Sequence, residues 1–151
     1  EDSAGSSAQD SVSAKGLKAG GSVTLSGGNF TLDCQDDAIH SNADVTIAGG
    51  TYQIATGDDG VHADENAVIS GGTIVISASY EGIEGQRIEI SGGEIDVTAS
   101  DDGLNAAGGD SGGDTRRSFM QSSGNNELII SGGYIVIDAA GDGLDSDGNL
   151  L

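Results

Sequence analysis

Val45-Thr46-Ile47-Ala48-Gly49-Gly50-Thr51-Tyr52-Gln53-Ile54 sets two short β-rich runs on either side of a Gly-Gly pair, and the chain repeats this pattern five times. The pairs begin at Gly27, Gly49, Gly71, Gly92 and Gly132, at intervals of 22, 22, 21 and 40 residues. A fixed period of this size marks a repeat protein whose units cannot bury a core alone and must stack. Val23–Leu25, Val45–Ile47, Ala67–Ile69, Ile88–Ile90 and Leu128–Ile130 precede the pairs. Phe30–Leu32, Tyr52–Ile54, Ile74–Ile76, Ile95–Val97 and Ile135–Ile137 follow them. A third segment begins at Leu17, Ile39, Val61, Ile83, Leu104 and Leu144, each time just after an acidic turn.

Alternation with period two predicts strands that turn one face inward. Short runs divided by Gly turns, with no helical stretch, predict an all-β fold: a three-sided, single-stranded parallel β-helix. This solenoid has about 22 residues per coil and five to six coils. A propeller fits less well, because each blade needs about 40 residues. The coils are Ala14–Gln35, Asp36–Gly57, Asp58–Ser79, Tyr80–Ser100 and Asp101–Ala140, with Gly141–Leu151 opening a sixth. Residues 1–13 lack the period and read as a flexible leader or linker before a domain spanning 14–151. An insertion loop falls at about 107–125 and carries Arg116, Arg117 and Phe119. Such insertions form loops on one face of a solenoid, often the binding face.

The 27 Gly, absence of Pro and Trp, and only three Tyr and two Phe leave little with which to build a conventional core. Stacked coils need only small inward residues. The net charge of −20, from 25 acidic and 5 basic residues, argues against nucleic acid and against an anionic membrane surface as partners. No apolar run is long enough for membrane insertion as a helix. Cys34 is the single cysteine, so no internal disulfide exists. It shares its phase with Thr56, Ala78, Ala99 and Ala139, all expected to point inward.

The recurring turn carries the chemistry. It reads Asp36-Asp37-Ala38-Ile39-His40, Asp58-Asp59-Gly60-Val61-His62, Tyr80-Glu81-Gly82-Ile83-Glu84, Asp101-Asp102-Gly103-Leu104-Asn105 and Gly141-Asp142-Gly143-Leu144-Asp145. Stacking places equivalent residues about 4.8 Å apart. Two carboxylates at that separation repel by roughly 1 kcal/mol in water and by more when partly buried. Bare stacked anions are therefore unfavourable, and something must neutralise them. Calcium fits: with oxygen ligands at about 2.3–2.6 Å, one ion spans about 4.6–5.2 Å between opposed oxygens. Zinc is disfavoured, because His40 and His62 are the only histidines and Cys34 points inward. In the first coil Lys15-Gly16-Leu17-Lys18 replaces the acids. Two readings stand for these lysines: built-in counter-ions beside Asp37 and His40 that end the ladder, or ordinary surface residues.

The runs Asp36–Glu65, Ser79–Gly85, Ala99–Gly109 and Ile130–Gly148 resemble, in order, a bacterial family of carbohydrate-binding β-helix proteins, first catalogued as a domain of unknown function. The likeness covers roughly residues 14–150, and the chain resembles the C-terminal part of such a domain. The resemblance implies a right-handed, extracellular parallel β-helix similar in shape to pectate lyases. It also implies calcium and the binding of cellulose or acidic plant sugars such as polygalacturonate. Carried onto this chain, the ligands are Asp36, Asp37, Asp58, Asp59, Glu81, Glu84, Asp101, Asp102, Asn105, Asp142 and Asp145.

Three functions compete. The first is a non-catalytic module binding acidic polysaccharide through bridging calcium, with Tyr80, Tyr134 and Phe119 offered as stacking surfaces for sugar. The second is a calcium-stabilised structural rod joined head to tail. The third, ranked lowest, is a calcium-dependent lyase, whose base would have to come from Arg87, Arg116 or Arg117.

Overall fold

The computed structural model describes residues 12–107 and 126–151, and all its regular elements are β-strands. Residues 1–11 of the expected leader, and 108–125 of the expected insertion with Arg116, Arg117 and Phe119, lie outside the described residues. No helix among the described residues is long and apolar enough to cross a membrane. The first coil holds β1 (Leu17–Ala19), β2 (Val23–Leu25) and β3 (Asn29–Cys34), and the second β4 (Ile39–Ser41), β5 (Val45–Ile47) and β6 (Thr51–Thr56). The third holds β7 (Val61–Ile69) and β8 (Thr73–Ala78), and the fourth β9 (Ile83–Ile90) and β10 (Glu94–Ala99). Then come β11 (Leu104–Ala106), β12 (Glu127–Ile130) and β13 (Tyr134–Ala139), and finally β14 (Leu144–Ser146) and β15 (Asn149–Leu150).

Pairing is parallel and runs from coil to coil, giving a β-solenoid of about five turns spaced roughly 22 residues apart. One face stacks β1, β4, β7, β9, β11 and β14, and another stacks β3, β6, β8, β10 and β13 as a five-stranded sheet. The face between them is built from β2, β5, the ends of β7 and β9, β12 and β15. The sequence predicts three strands per coil, but β7 and β9 each run unbroken through the corner between two faces. That corner is also where the fourth coil loses its residue. Ala63 pairs with Gly85 while Asn66 pairs with Arg87, so Asp64 and Glu65 stand opposite Gln86 alone.

The inward columns form the core. Ile39, Val61, Ile83 and Leu104 stack in register and are fully buried, as are Ile74 and Ile95 on the opposite sheet. Each such side chain contributes roughly 1.5–3 kcal/mol by leaving water. Tyr52 lies flat on Phe30, ring centroids 5.2 Å apart, and its hydroxyl donates to the Gly49 carbonyl oxygen at 2.7 Å. Cys34 pairs with Thr56 and packs half-buried against the core, where burial and the neighbouring Asp33 charge push its thiol pKa up. One expectation fails: Ala78 is exposed. A register shift after Ile54 pairs Ala78 with Ala55, and Ser79 takes the inward place, donating to the Thr98 carbonyl oxygen at 3.1 Å.

Each Gly of a pair has its own reason. The second, at 28, 50, 72, 93 and 133, has φ between 97 and 102°, a region that disfavours a side chain. The first lies against the coil below; a Cβ at Gly71 would stand 2.7 Å from the Ala48 carbonyl oxygen. Gly72→Ala is therefore expected to lower stability by about 1–3 kcal/mol in denaturant titrations. Gly27→Ala, whose Cβ meets nothing within 4 Å among the described residues, is expected to stay near wild type.

Candidate functional site

Because every acidic turn leads into a first-face strand, its side chains fall into columns at one corner of the solenoid. The second turn position runs Lys15, Asp37, Asp59, Glu81, Asp102, Asp142. Three residues on, the register aligns Lys18, His40, His62, Glu84, Asn105 and Asp145. Backbone amides stitch the acidic column together. The Asp59 N–H donates to Asp37 Oδ1 at 3.3 Å, the Glu81 N–H to Asp59 Oδ1 at 3.2 Å, and the Asp142 N–H to Asp102 Oδ1 at 2.7 Å. Each such donor stabilises a carboxylate in its charged form.

At the N-terminal end the acids also meet cations. Lys15 Nζ donates to Asp36 Oδ1 at 2.9 Å and to Asp37 Oδ2. Burial opposes its charge, but the hydrogen bonds to Asp37 and Asp36 outweigh that and raise its pKa. The same hydrogen bond is the main cause holding Asp36 below the usual carboxylate range. Lys15 is thus a counter-ion, whereas exposed Lys18 lies opposite His40 without an ion pair among the described residues. Asp58, which is exposed, is pushed up by partial desolvation and by the Asp37 and Asp36 charges.

Two histidines stand next along the acidic column. His40 Nδ1 lies 2.8 Å from Asp37 Oδ2, and its Nε2 lies 2.9 Å from Asn42 Oδ1. His62 Nδ1 sits between Asp59 Oδ2 at 3.0 Å and Glu84 Oε2 at 2.6 Å, while Nε2 lies 3.2 Å from Asp64 Oδ1. Burial works against a charged His62, yet the bonds to Asp59 and Glu84 carry its pKa up to about 11. His62 in return holds Glu84 low. Asp59 is raised chiefly by burial, against the pull of His62. The two histidine rings lie with centroids 4.9 Å apart, tilted by 31°. Sequence reasoning left His40, His62 and Asp64 off the site, although the two histidines occupy a position of the very turn that marked the acids.

Compensation stops at Glu81. Asn105 Nδ2 donates to Glu81 Oε1 at 3.0 Å, but Glu81 Oε2 and Asn105 Oδ1 are buried with no hydrogen-bond partner among the described residues. Burial first, then the charges of Glu84, Asp59 and Asp102, raise the Glu81 pKa to about 7. Beyond it, Asp101, Asp102, Asp142 and Asp145 have no cationic partner among the described residues. Asp101 and Asp102 both reach over Gly141, where a Cβ would press on Asp102 Oδ1 and stand 2.8 Å from Asp101 Oδ1.

A groove of about 490 Å³ runs along these columns, bounded by Lys15, Tyr80 and Gln86 and lined by Asp37, His40, Asp58, Asp59, His62, Asp64, Glu81 and Glu84. Asp36 adjoins it through Lys15, while Asp101, Asp102, Asn105, Asp142 and Asp145 extend the columns past it. Tyr80, 47% exposed, stands on the groove rim, and hydrogen bonding to Asp101 raises its phenol pKa. Tyr134, 66% exposed, pairs with Glu94 on the five-stranded sheet. The two tyrosines therefore lie on different faces and do not form one platform.

The raised pKa values set a pH dependence for metal-free protein. Glu81 is protonated in the folded chain up to about 7 but ionises near 4.5 when unfolded, so its contribution is complete below 4.5 and is lost as pH rises through 7. His62 adds a contribution that is complete below 6.5 and disappears as pH approaches about 11. In chelator, the melting temperature is expected to fall between pH 4.5 and 7, and Glu81→Gln is expected to flatten that fall. Thermal melts across this range provide the check.

A family model described as carbohydrate-binding domain-containing protein matches residues 1–60 and 57–115, meeting at the turn that opens the third coil. No curated protein and no solved structure matches the chain. The matched stretches cover most of the chain and include the groove, and on that ground the chain belongs to the carbohydrate-binding domain-containing family.

Proposed function

We propose that this chain is a non-catalytic, extracellular module that binds acidic polysaccharide through calcium ions held on the C-terminal half of its acidic ladder. The observation that carries the reading is the pair of buried, unpartnered oxygens on Glu81 and Asn105. An oxygen acceptor buried without a donor costs about 1–3 kcal/mol, and a hard cation with oxygen ligands removes that cost. This reading assigns the ion to the carboxylates of Glu81, Asp101 and Asp102 and the Asn105 amide oxygen, with Asp142 and Asp145 on the next coil. A bound cation would ionise Glu81 and bridge the protein to a sugar carboxylate. That bridge explains how a chain of charge −20 holds an anionic polymer.

The groups near the groove support binding over catalysis. A lyase needs a free base beside the metal-bound sugar. Lys15 is committed to Asp36 and Asp37 and its pKa is raised. His62 holds its proton to about 11. Arg87 is off the groove, its guanidinium on Glu89 at 2.7 Å and Glu127 at 3.4 Å. These commitments leave none of the three free to take a proton at neutral pH.

Titration of the chain with polygalacturonate by calorimetry tests the reading. Binding is expected in calcium, is expected to disappear in chelator, and is expected to weaken tenfold or more in Glu81→Gln and Asp102→Asn. Binding indifferent to chelator, or equal binding to a neutral glucan, would overturn the calcium bridge.

A further inference from the structure

The two halves of the ladder differ in donor chemistry. Toward the C-terminal end the ligands are oxygens alone. Toward the N-terminal end, two imidazoles from adjacent coils lie with centroids 4.9 Å apart, tilted by 31°, beside the buried carboxylates of Asp37 and Asp59. We propose that His40 and His62, with Asp37, Asp59 and Glu84, form a site for a zinc-type divalent transition metal, distinct from the calcium positions. It goes beyond the sugar-binding reading and does not depend on it.

Three observations lead there. First, the potential ligand atoms of Asp37, His40 and His62 lie within 4.8 Å of one another, as do those of Asp59, His62 and Glu84. The two groups share His62. Ligands on a tetrahedral zinc ion are about 3.4 Å apart, given bonds of about 2.0–2.1 Å, so small rotations of these side chains close the shell. Second, the inner carboxylates are fixed: Asp37 is 2% and Asp59 5% exposed, and each accepts a backbone N–H from the next coil. A rigid carboxylate floor under two registered imidazoles is a preorganised ligand set. Third, mixed imidazole and carboxylate donors favour borderline metals such as zinc, nickel or copper over calcium, which takes oxygen.

The sequence disfavours zinc, because His40 and His62 are the only histidines and Cys34 is expected to point inward. Stacking changes that judgement, since it brings histidines 22 residues apart onto the same metal. Carboxylate oxygens of Asp59, Glu84 and Asp64 lie 2.6–3.2 Å from the His62 ring nitrogens, so a divalent ion at this position meets anionic groups. Lys15 is the competing cation, holding Asp37 and Asp36 from one side.

The test titrates chelator-stripped protein with zinc alone and with calcium alone, following melting temperature and calorimetric heat. Zinc is expected to bind, and His40→Gln and His62→Gln are each expected to weaken it at least tenfold while calcium binding persists. Glu81→Gln is expected to do the reverse. Wild-type protein loaded with cobalt or copper provides a readout free of mutation: nitrogen ligation should appear in its spectrum. No zinc binding by the wild type, a zinc affinity unchanged in His62→Gln, or a copper spectrum without nitrogen ligands would each overturn the proposal. Loss of calcium-dependent sugar binding in Glu81→Gln with zinc binding intact separates this site from the one proposed above.

Discussion

Parallel pairing of each coil on the one before it governs everything else in this molecule. A rung spacing of about 4.8 Å in register lays every residue on its equivalent, so any property of one turn is multiplied along the axis. For inward positions the multiplication is favourable. Ile39, Val61, Ile83 and Leu104 make one continuous apolar column from residues that no single coil could shield. For the acidic turns it is unfavourable, because each added coil brings another carboxylate against the last. The chain meets that repulsion with three devices in sequence along the axis. Lys15 caps the column, His62 carries positive charge between Asp59 and Glu84 while His40 hydrogen-bonds Asp37, and backbone amides donate into Asp37, Asp59 and Asp102.

These devices are unevenly distributed, and the unevenness divides the ladder. Asp36, Asp37, Asp59 and Glu84 have Lys15 or histidine partners. Glu81 adjoins this compensated half, yet its carboxyl carries an oxygen with no donor and a pKa raised to about 7. A carboxyl left this way is a local cost to the fold, and such costs persist where a ligand removes them. The groove thus spans a transition, within two coils, from acids with internal partners to a carboxyl that has no cationic partner among the described residues.

Much of the architecture was legible because it is periodic. The Gly-Gly pairs mark one turn of each coil, and the structure gives each glycine a separate duty, positive φ at the second and close coil contact at the first. Where the period breaks, the sequence says that a residue is missing without saying where. The fourth coil could lose it at any corner, and only the pairing of Ala63 with Gly85 and Asn66 with Arg87 locates it. Ala78 was misplaced for the same reason, since a bulge shifts phase locally while the count of residues per coil stays at 22. At the site, the acids are legible by their repetition, whereas a total of two histidines, with Cys34 expected inward, argues against a zinc site in the sequence. Reading each turn position as its own column, Lys18-His40-His62-Glu84-Asn105-Asp145, exposes the gradient that a reading of whole turns blurs. The empty hydrogen-bonding capacity of Glu81 and Asn105 had no sequence signal at all. It depends on which side chains the next coil brings into reach.

A stacked site also bears on what kind of ligand it suits. A globular pocket offers one set of contacts, and affinity rests on their quality. A solenoid offers related contacts rung after rung, so a polymer with regularly spaced groups that engages one rung holds its neighbours at high effective concentration over the next. Weak individual contacts then suffice, provided the charges do not oppose them. Here they do oppose an acidic polymer, at a net charge of −20, until cations intervene. A divalent ion bound on the ladder would cancel two of those charges locally. Exposed charges farther than about 10 Å away are already screened at ordinary ionic strength. Local neutralisation at the groove, rather than a change in the charge of the whole chain, is therefore what an acidic partner requires.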